Sequence, residues 1–210
     1  MNNFSKKLVI PKSTSTRELK NEILMGCDDG WNVHFPKDMS AIQNRKNSFL
    51  PAPLKAFKIA VRSSVERVWL IDEYIFVPDA YKSKIDDRIL TIIDWFPEYI
   101  IASDIRILTK QNSEISEENL KTFKDRETEI NSKRNKGSIK CNIEVNTNLS
   151  KSFNYIHDRF AIIDDELWHF GATVGGFHAS VSATSRGWNA EETGAVDFFK
   201  LAWAQCLESN

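Results

Sequence analysis

The run Tyr155-Ile156-His157-Asp158-Arg159-Phe160-Ala161-Ile162-Ile163-Asp164 decides how this chain folds. Ile156 to Ile163 reads as a strand, so successive side chains point to opposite faces. Tyr155, His157, Arg159, Ala161 and Ile163 share one face, and Asp158, Phe160, Ile162 and Asp164 take the other. Asp164-Asp165 has the composition of a turn. Glu166 to Gly171 follows as a second strand, which makes an antiparallel hairpin.

Working outward, the chain alternates between helical and strand patterns. Leu54 to Val65 repeats apolar residues at helical spacing, and so does Ser83 to Phe96, which Pro97 closes. Ser116 is placed to cap a helix reaching about Arg134, with Glu118 near capping-box spacing. Arg67 to Val77, Asp104 to Thr109 and Ile139 to Val145 read as strands, and Thr193 to Phe199 as a last strand shading into a helix that ends near Leu207. Such alternation predicts an α/β fold. The hairpin inside it predicts a mixed sheet, with helices on both faces.

The first fifty residues differ. They are polar, with Ser13-Thr14-Ser15-Thr16 and Cys27-Asp28-Asp29-Gly30, and Pro51-Ala52-Pro53 disfavours helix. Residues 1–53 are therefore expected to be an extension, and 54–210 the domain. Within the extension, Arg17 to Met25 is compatible with one helix.

Composition narrows the function. The 210 residues carry 28 Lys+Arg against 29 Asp+Glu, a net charge of −1, so a polyanion site has to be a local patch. Cys27, Cys141 and Cys206 are too few and scattered for a disulfide framework or a Cys-rich zinc site, which suits a reducing compartment. Leu8-Val9-Ile10 is too short for a signal-peptide core, and no run approaches the ~20 apolar residues of a membrane span. A cytoplasmic protein with no membrane partner is expected.

A histidine and an arginine side by side on one strand face make an anion site. The guanidinium can hold phosphate oxygens bidentately, and an imidazole beside it can attack phosphorus or move a proton. The bland alternatives are a structural His157 and an Arg159 paired with Asp158 or Glu166 at the surface. Arg186-Gly187-Trp188 could present a cation and a stacking ring to a nucleic-acid strand, or Trp188 could simply pack. Lys133 to Lys140 is the most basic run, fit either for phosphates or for a solvated helix end. His169 suits packing or hydrogen bonding. Gly175-Gly176-Phe177-His178 suits a loop, and it lacks the pattern of a P-loop.

The spacing His157-x-Arg159-x4-Asp164-x6-Gly171 resembles the signature of the phospholipase D superfamily, with arginine where lysine is usual. Gly171-Ala172-Thr173-Val174 matches the positions after the signature in part, and Asn189-Ala190-Glu191 looks like a later Asn-x-Glu element. The resemblance covers roughly the last three quarters of the chain. It implies a phosphodiesterase, nuclease-like and acting on DNA before RNA, that needs no metal or other cofactor. His157 would be the nucleophile, Arg159 and Asn189 phosphate contacts, and Glu191 the group that orients a histidine. Asp164 would support loop geometry, and Thr173 would be a weaker hydroxyl candidate. Two motif copies meet in such a site, and this chain has one, so a homodimer is implied. A bacterial antiviral complex, with a partner such as an ATPase, is the expected context. The competing expectation is a non-catalytic nucleic-acid-binding or assembly subunit.

Overall fold

The computed structural model describes residues 18–25, 39–40, 52–77, 84–153, 156–175 and 182–208. Tyr155, His34, His178 and the basic and polar runs before residue 18 lie outside them. Among these described residues, seven strands and five helices follow in chain order: β1 (Glu22–Met25), α1 (Ala52–Arg62), β2 (Arg67–Ile71), α2 (Ile85–Ile93), β3 (Asp104–Leu108), α3 (Glu117–Lys133), β4 (Asn142–Asn146), α4 (Leu149–Ser152), β5 (Phe160–Ile163), β6 (Glu166–Phe170), β7 (Ala183–Asn189) and α5 (Ala195–Leu207). The strands form one sheet in the order β1-β7-β6-β5-β2-β3-β4.

The sheet is mixed. β2, β3 and β4 run parallel, and their crossovers carry α2 and α3. β5 joins β2 antiparallel, and β6, β7 and β1 continue antiparallel. Helices cover both faces. Leu54, Phe57, Ala60 and Val61 of α1, Ile89 and Ile92 of α2, and Phe123 and Ile130 of α3 pack with Val68, Leu70, Ile105 and Ala161 on one face. Val196, Phe199, Ala202, Trp203 and Cys206 of α5 pack with Trp69, Ile71, Phe160 and Ile162 on the other. β2 and β5 are buried throughout their apolar positions, as strands covered on both sides must be. No helix among the described residues is long and apolar enough to cross a membrane.

Strand bounds move, since β5 begins at Phe160 and not Ile156, and β2 ends at Ile71 with residues 73–76 in a turn; four larger expectations also change. First, the domain does not begin at residue 54: β1, from the polar first fifty residues, is the seventh strand. It is a strand, not the tail of a helix. Leu24 is buried and Ile23 exposed, a period of two, and the segment pairs with β7. Gly187 makes the pairing possible. Its φ is +95°, and a Cβ there would lie 2.0 Å from the Lys20 carbonyl oxygen. Second, residues 193–199 are not a strand. The last strand is β7, and α5 begins at Ala195 after Gly194, whose φ is +75°. Third, the partner of Ser116 in the capping box is Asn119, not Glu118. Ser116 Oγ accepts from Asn119 N at 3.1 Å, and Asn119 Oδ1 accepts from Ser116 N at 2.9 Å. Fourth, Pro53 stands inside α1, near its start, where a missing N–H leaves no intrahelical bond unmade.

Strand directions define two sheet edges. One gathers the C-terminal ends of β2, β3, β4 and β6 with the N-terminal ends of β5 and β7, because Ile71 faces Phe160, Phe160 faces His169 and Phe170 faces Thr184. It is the edge beyond the carboxyl ends of the parallel strands, where open α/β sheets characteristically hold ligands.

Candidate phosphate site at the carboxyl edge of the sheet

His157 and Arg159 precede β5 and lie at this edge. The hydrogen-bond ladder extends one step past the strand, since Phe170 N donates to Arg159 O at 2.9 Å. His157 is exposed, whereas the Arg159 side chain is 20% exposed. The Arg159 guanidinium carbon sits 5.3 Å from the centre of the Tyr74 ring, and Lys110 Nζ lies 5.9 Å from the same ring. Thr173 is buried in the turn that follows β6, at the same edge.

Beneath Arg159 lies a residue that the sequence reading passed over. Asp72, the first residue after β2, is fully buried. Its Oδ1 accepts from Tyr74 N at 2.8 Å, and its Oδ2 accepts from Val174 N at 2.7 Å. Arg159 Nε stands 3.5 Å from Oδ1, within ion-pair range but not aligned as a hydrogen bond. Burial pushes the Asp72 carboxyl up to about 6, while the two backbone donors, Arg159 and Arg88 of α2 pull it back. The signal in the sequence was an ionisable residue directly after the unbroken apolar run Val68-Trp69-Leu70-Ile71. A buried strand delivers such a residue to the carboxyl edge.

Two glycines shape the neighbouring turn. At Gly171 a Cβ would lie 3.0 Å from the Ala183 carbonyl oxygen, which also accepts the Gly171 N–H at 2.9 Å. At Gly175 φ is +83°, and a Cβ would lie 2.8 Å from the Trp95 ring. Trp95 is fixed in turn by its edge contact with Phe57, ring centres 5.2 Å apart. The turn that hydrogen-bonds Asp72 is thereby seated on the core.

Asp164 closes the other end of β5, seven residues and roughly 20 Å of extended chain from His157. Its Oδ1 accepts from the backbone N–H groups of Val65 at 3.1 Å, Glu66 at 2.7 Å and Arg67 at 3.1 Å. Its own φ is +54°, in the left-handed region that Asp tolerates better than most residues. Asp164 ties the hairpin to the start of β2 and stands away from the reacting groups.

Asn189, Glu191, Trp188 and Arg186 are not brought to His157. β7 runs parallel to β5, so its C-terminal residue Asn189 faces Glu166, at the Asp164 end. There Asn189 Oδ1 accepts from Glu191 N at 2.9 Å and Glu192 N at 3.1 Å, a local turn. Glu191 Oε1 pairs with Arg67 at 2.9 Å. Arg186 is 8% exposed and doubly bonded to Glu166, at 2.7 and 3.0 Å, with its guanidinium 4.2 Å over Trp168. Trp188 borders an open depression of about 400 Å³ with Leu19, Asn21, Asn189 and Glu192, also at the far end. The basic run is likewise partly committed: Arg134 donates to the carbonyls of Ile100, Ile101, Ala102 and Ile139. His169 has Nε2 3.3 Å from Asp158 Oδ1.

No protein-family model matches the chain, and no curated protein matches it. Solved structures that the chain is similar to include the following. NucT from Helicobacter pylori is 12% identical, with 90% of this chain and 98% of that one covered and a TM-score of 0.49. Phosphatidylserine synthase from Haemophilus influenzae is 13% identical over 70% of this chain and 34% of that one, with a TM-score of 0.42. TrmBL2, an archaeal chromatin protein described with a novel mode of DNA binding, is 13% identical over 72% and 48%, with a TM-score of 0.37. This chain spans about half of TrmBL2 and a third of the synthase.

Proposed function

We propose that this chain is a phosphodiesterase of the phospholipase D type, acting as a nuclease through His157. The observation that carries the reading is the placement of the His157-x-Arg159 pair. His157 is exposed and the Arg159 side chain 20% exposed, both just before β5 at the carboxyl edge of the sheet, and Gly171 and Thr173 lie in the turn after β6, the strand that pairs with β5. In this reading Arg159 and the nearby Lys110 hold the non-bridging phosphate oxygens. A ring nitrogen of His157 attacks phosphorus, a P–N bond forms, and the P–O bond to the leaving group breaks. The leaving oxygen takes a proton from a second imidazole. Water, deprotonated by that imidazole, then displaces His157 and restores both groups.

The second imidazole is assigned to His157 of the partner subunit in a two-fold dimer. Exposure of His157 leaves it accessible to such a mate. Asn189 and Glu191 take no part, given their position at the other end of β5.

One observation favours a second reading, in which the domain binds nucleic acid without cutting it. The charge of Arg159 is partly offset by Asp72 at 3.5 Å. The test mixes two inactive variants, His157→Ala and Arg159→Ala, and assays single-stranded DNA cleavage. The dimeric nuclease predicts no complementation, because each mixed site lacks one imidazole, and activity that falls with the square of the wild-type fraction when His157→Ala is mixed with wild type; activity proportional to the wild-type fraction itself would contradict the shared site. Strict proportionality to the wild-type fraction squared, with light scattering at dimer mass, supports the shared site. Binding that survives His157→Ala with no turnover in any mixture supports the binding module.

A further inference from the structure

We propose that Asp72 is the positioning residue of this phosphate site: it holds Arg159 by its Nε edge, leaves the two terminal nitrogens for phosphate, and couples that grip to the Thr173 turn through the Val174 N–H. The inference rests on the reading of His157 and Arg159 as the phosphate site, and it deepens that reading.

The geometry is specific. A carboxylate with no exposed surface at the end of a buried strand requires partners, and Asp72 has them from three separate places. Tyr74 N comes from the loop after β2, Val174 N from the turn after β6, and Arg159 from the approach to β5. Arg159 Nε is itself buried, so the exposed part of the side chain lies elsewhere than at that nitrogen. Tyr74, whose own N–H is held by Asp72, lies against the same guanidinium. One buried carboxylate thus sets the positions of the cation, of the ring beside it and of the turn bearing Thr173.

Arginine at the usual lysine position follows from the same arrangement. A guanidinium has a fixed fork of five donors, so it can face a carboxylate at one edge and a phosphate at the other. An ammonium carries its three donors on a single nitrogen, so carboxylate and phosphate would both have to lie within reach of that one atom, whereas the guanidinium presents Nε and the terminal nitrogens on separate edges. The charged and titratable groups around Asp72 are Arg159, Arg88 of α2 and Tyr74. The elevated titration of Asp72, near 6, is a consequence of the burial that the positioning needs.

Two measurements test the proposal. The first is a double-mutant cycle on single-stranded DNA cleavage with Asp72→Asn, Arg159→Lys and the pair. Asp72→Asn is expected to lower kcat about a hundred-fold, the scale of a 1 Å misplacement, with KM unchanged or lower because a competing anion is gone. In the Arg159→Lys background the same change should cost less than about five-fold, since no Nε edge remains to be held. Equal losses in both backgrounds would overturn the proposal. The second needs neither turnover nor a folded Asp72 variant. The Arg159 Nε–H resonance of wild type, assigned by its loss in Arg159→Lys, should shift with pH at a midpoint near 6. A resonance that does not move between pH 4.5 and 8 would also overturn it. If wild type shows no cleavage but the Nε–H resonance titrates as expected, the nuclease reading fails and the Asp72–Arg159 coupling stands.

Discussion

Asp164 carries the sharpest stability prediction. All three of its backbone donors reach one oxygen, Oδ1, at 2.7 to 3.1 Å. Asp164→Ala removes that acceptor. The Val65 and Glu66 N–H groups are exposed and can turn to water, at about 1 kcal/mol each, while the part-buried Arg67 N–H costs about 2 kcal/mol. Alanine at a φ of +54° adds about 1 kcal/mol. The expected loss is therefore about 4–5 kcal/mol by urea unfolding followed through tryptophan fluorescence, or about 8–20 °C in Tm. Asp164→Gly removes the same acceptor without the backbone strain and should recover about 1 kcal/mol relative to alanine. Asp164→Asn can place its carbonyl oxygen where Oδ1 stands and keep the three bonds to it, but its amide nitrogen then replaces Oδ2, which Val65 N also reaches at 3.1 Å, so it should lose about 1–2 kcal/mol. A loss under 1 kcal/mol for alanine, or an asparagine variant as weak as alanine, would refute this account of the strand-end clasp.

Three further outcomes are expected. Arg186→Met leaves Glu166 as a buried charge without its guanidinium and should destabilise by about 3–5 kcal/mol, while DNA affinity of the folded variant stays at the wild-type value; a selective loss of affinity would return Arg186 to the binding surface. Gly187→Ala drives a Cβ against the Lys20 carbonyl and should release β1, seen as faster amide exchange at Thr184 and Arg186 on β7; unchanged exchange would contradict the role of that glycine. The elevated Asp72 carboxyl means that the folded state binds its proton more tightly than the unfolded chain, whose value is 3.8. The Asp72 contribution to stability should then be full below about pH 4, fall as pH rises to about 6, and stay level above, a decline of roughly 3 kcal/mol from a two-unit shift. The difference between the wild-type and Asp72→Asn stability curves checks this, and a difference that rises through that window would reverse the sign.

Much of the central sheet could be read from the chain because its strands are apolar runs. Val68-Trp69-Leu70-Ile71 and Phe160-Ala161-Ile162-Ile163 are buried on both faces and declare themselves. β7 does not, because its buried residues include Thr184 and Arg186, whose polarity hides any alternation. α5 was partly hidden by its opening Val196-Asp197-Phe198-Phe199, which favours strand locally, although Val196, Phe199, Ala202, Trp203 and Cys206 follow helical spacing. The same difference separates the site residues. His157, Arg159 and Asp164 lie on one strand and its approach, so their spacing fixes their relative places. Asn189-Ala190-Glu191 depends on the direction of β7, which linear spacing does not contain, and that direction carries it to the Asp164 end. Asp72 directly follows a different strand, β2, and the β2–β5 register brings it beneath Arg159.

The most direct test of the central claim is cleavage of single- and double-stranded DNA and RNA in excess EDTA, with wild type and His157→Ala compared at equal concentration. The account predicts cleavage by wild type that EDTA leaves intact and that His157→Ala abolishes, with both proteins equally stable because His157 is exposed. Cleavage that persists in His157→Ala, or that disappears with the chelator, would contradict a metal-independent site built on that histidine.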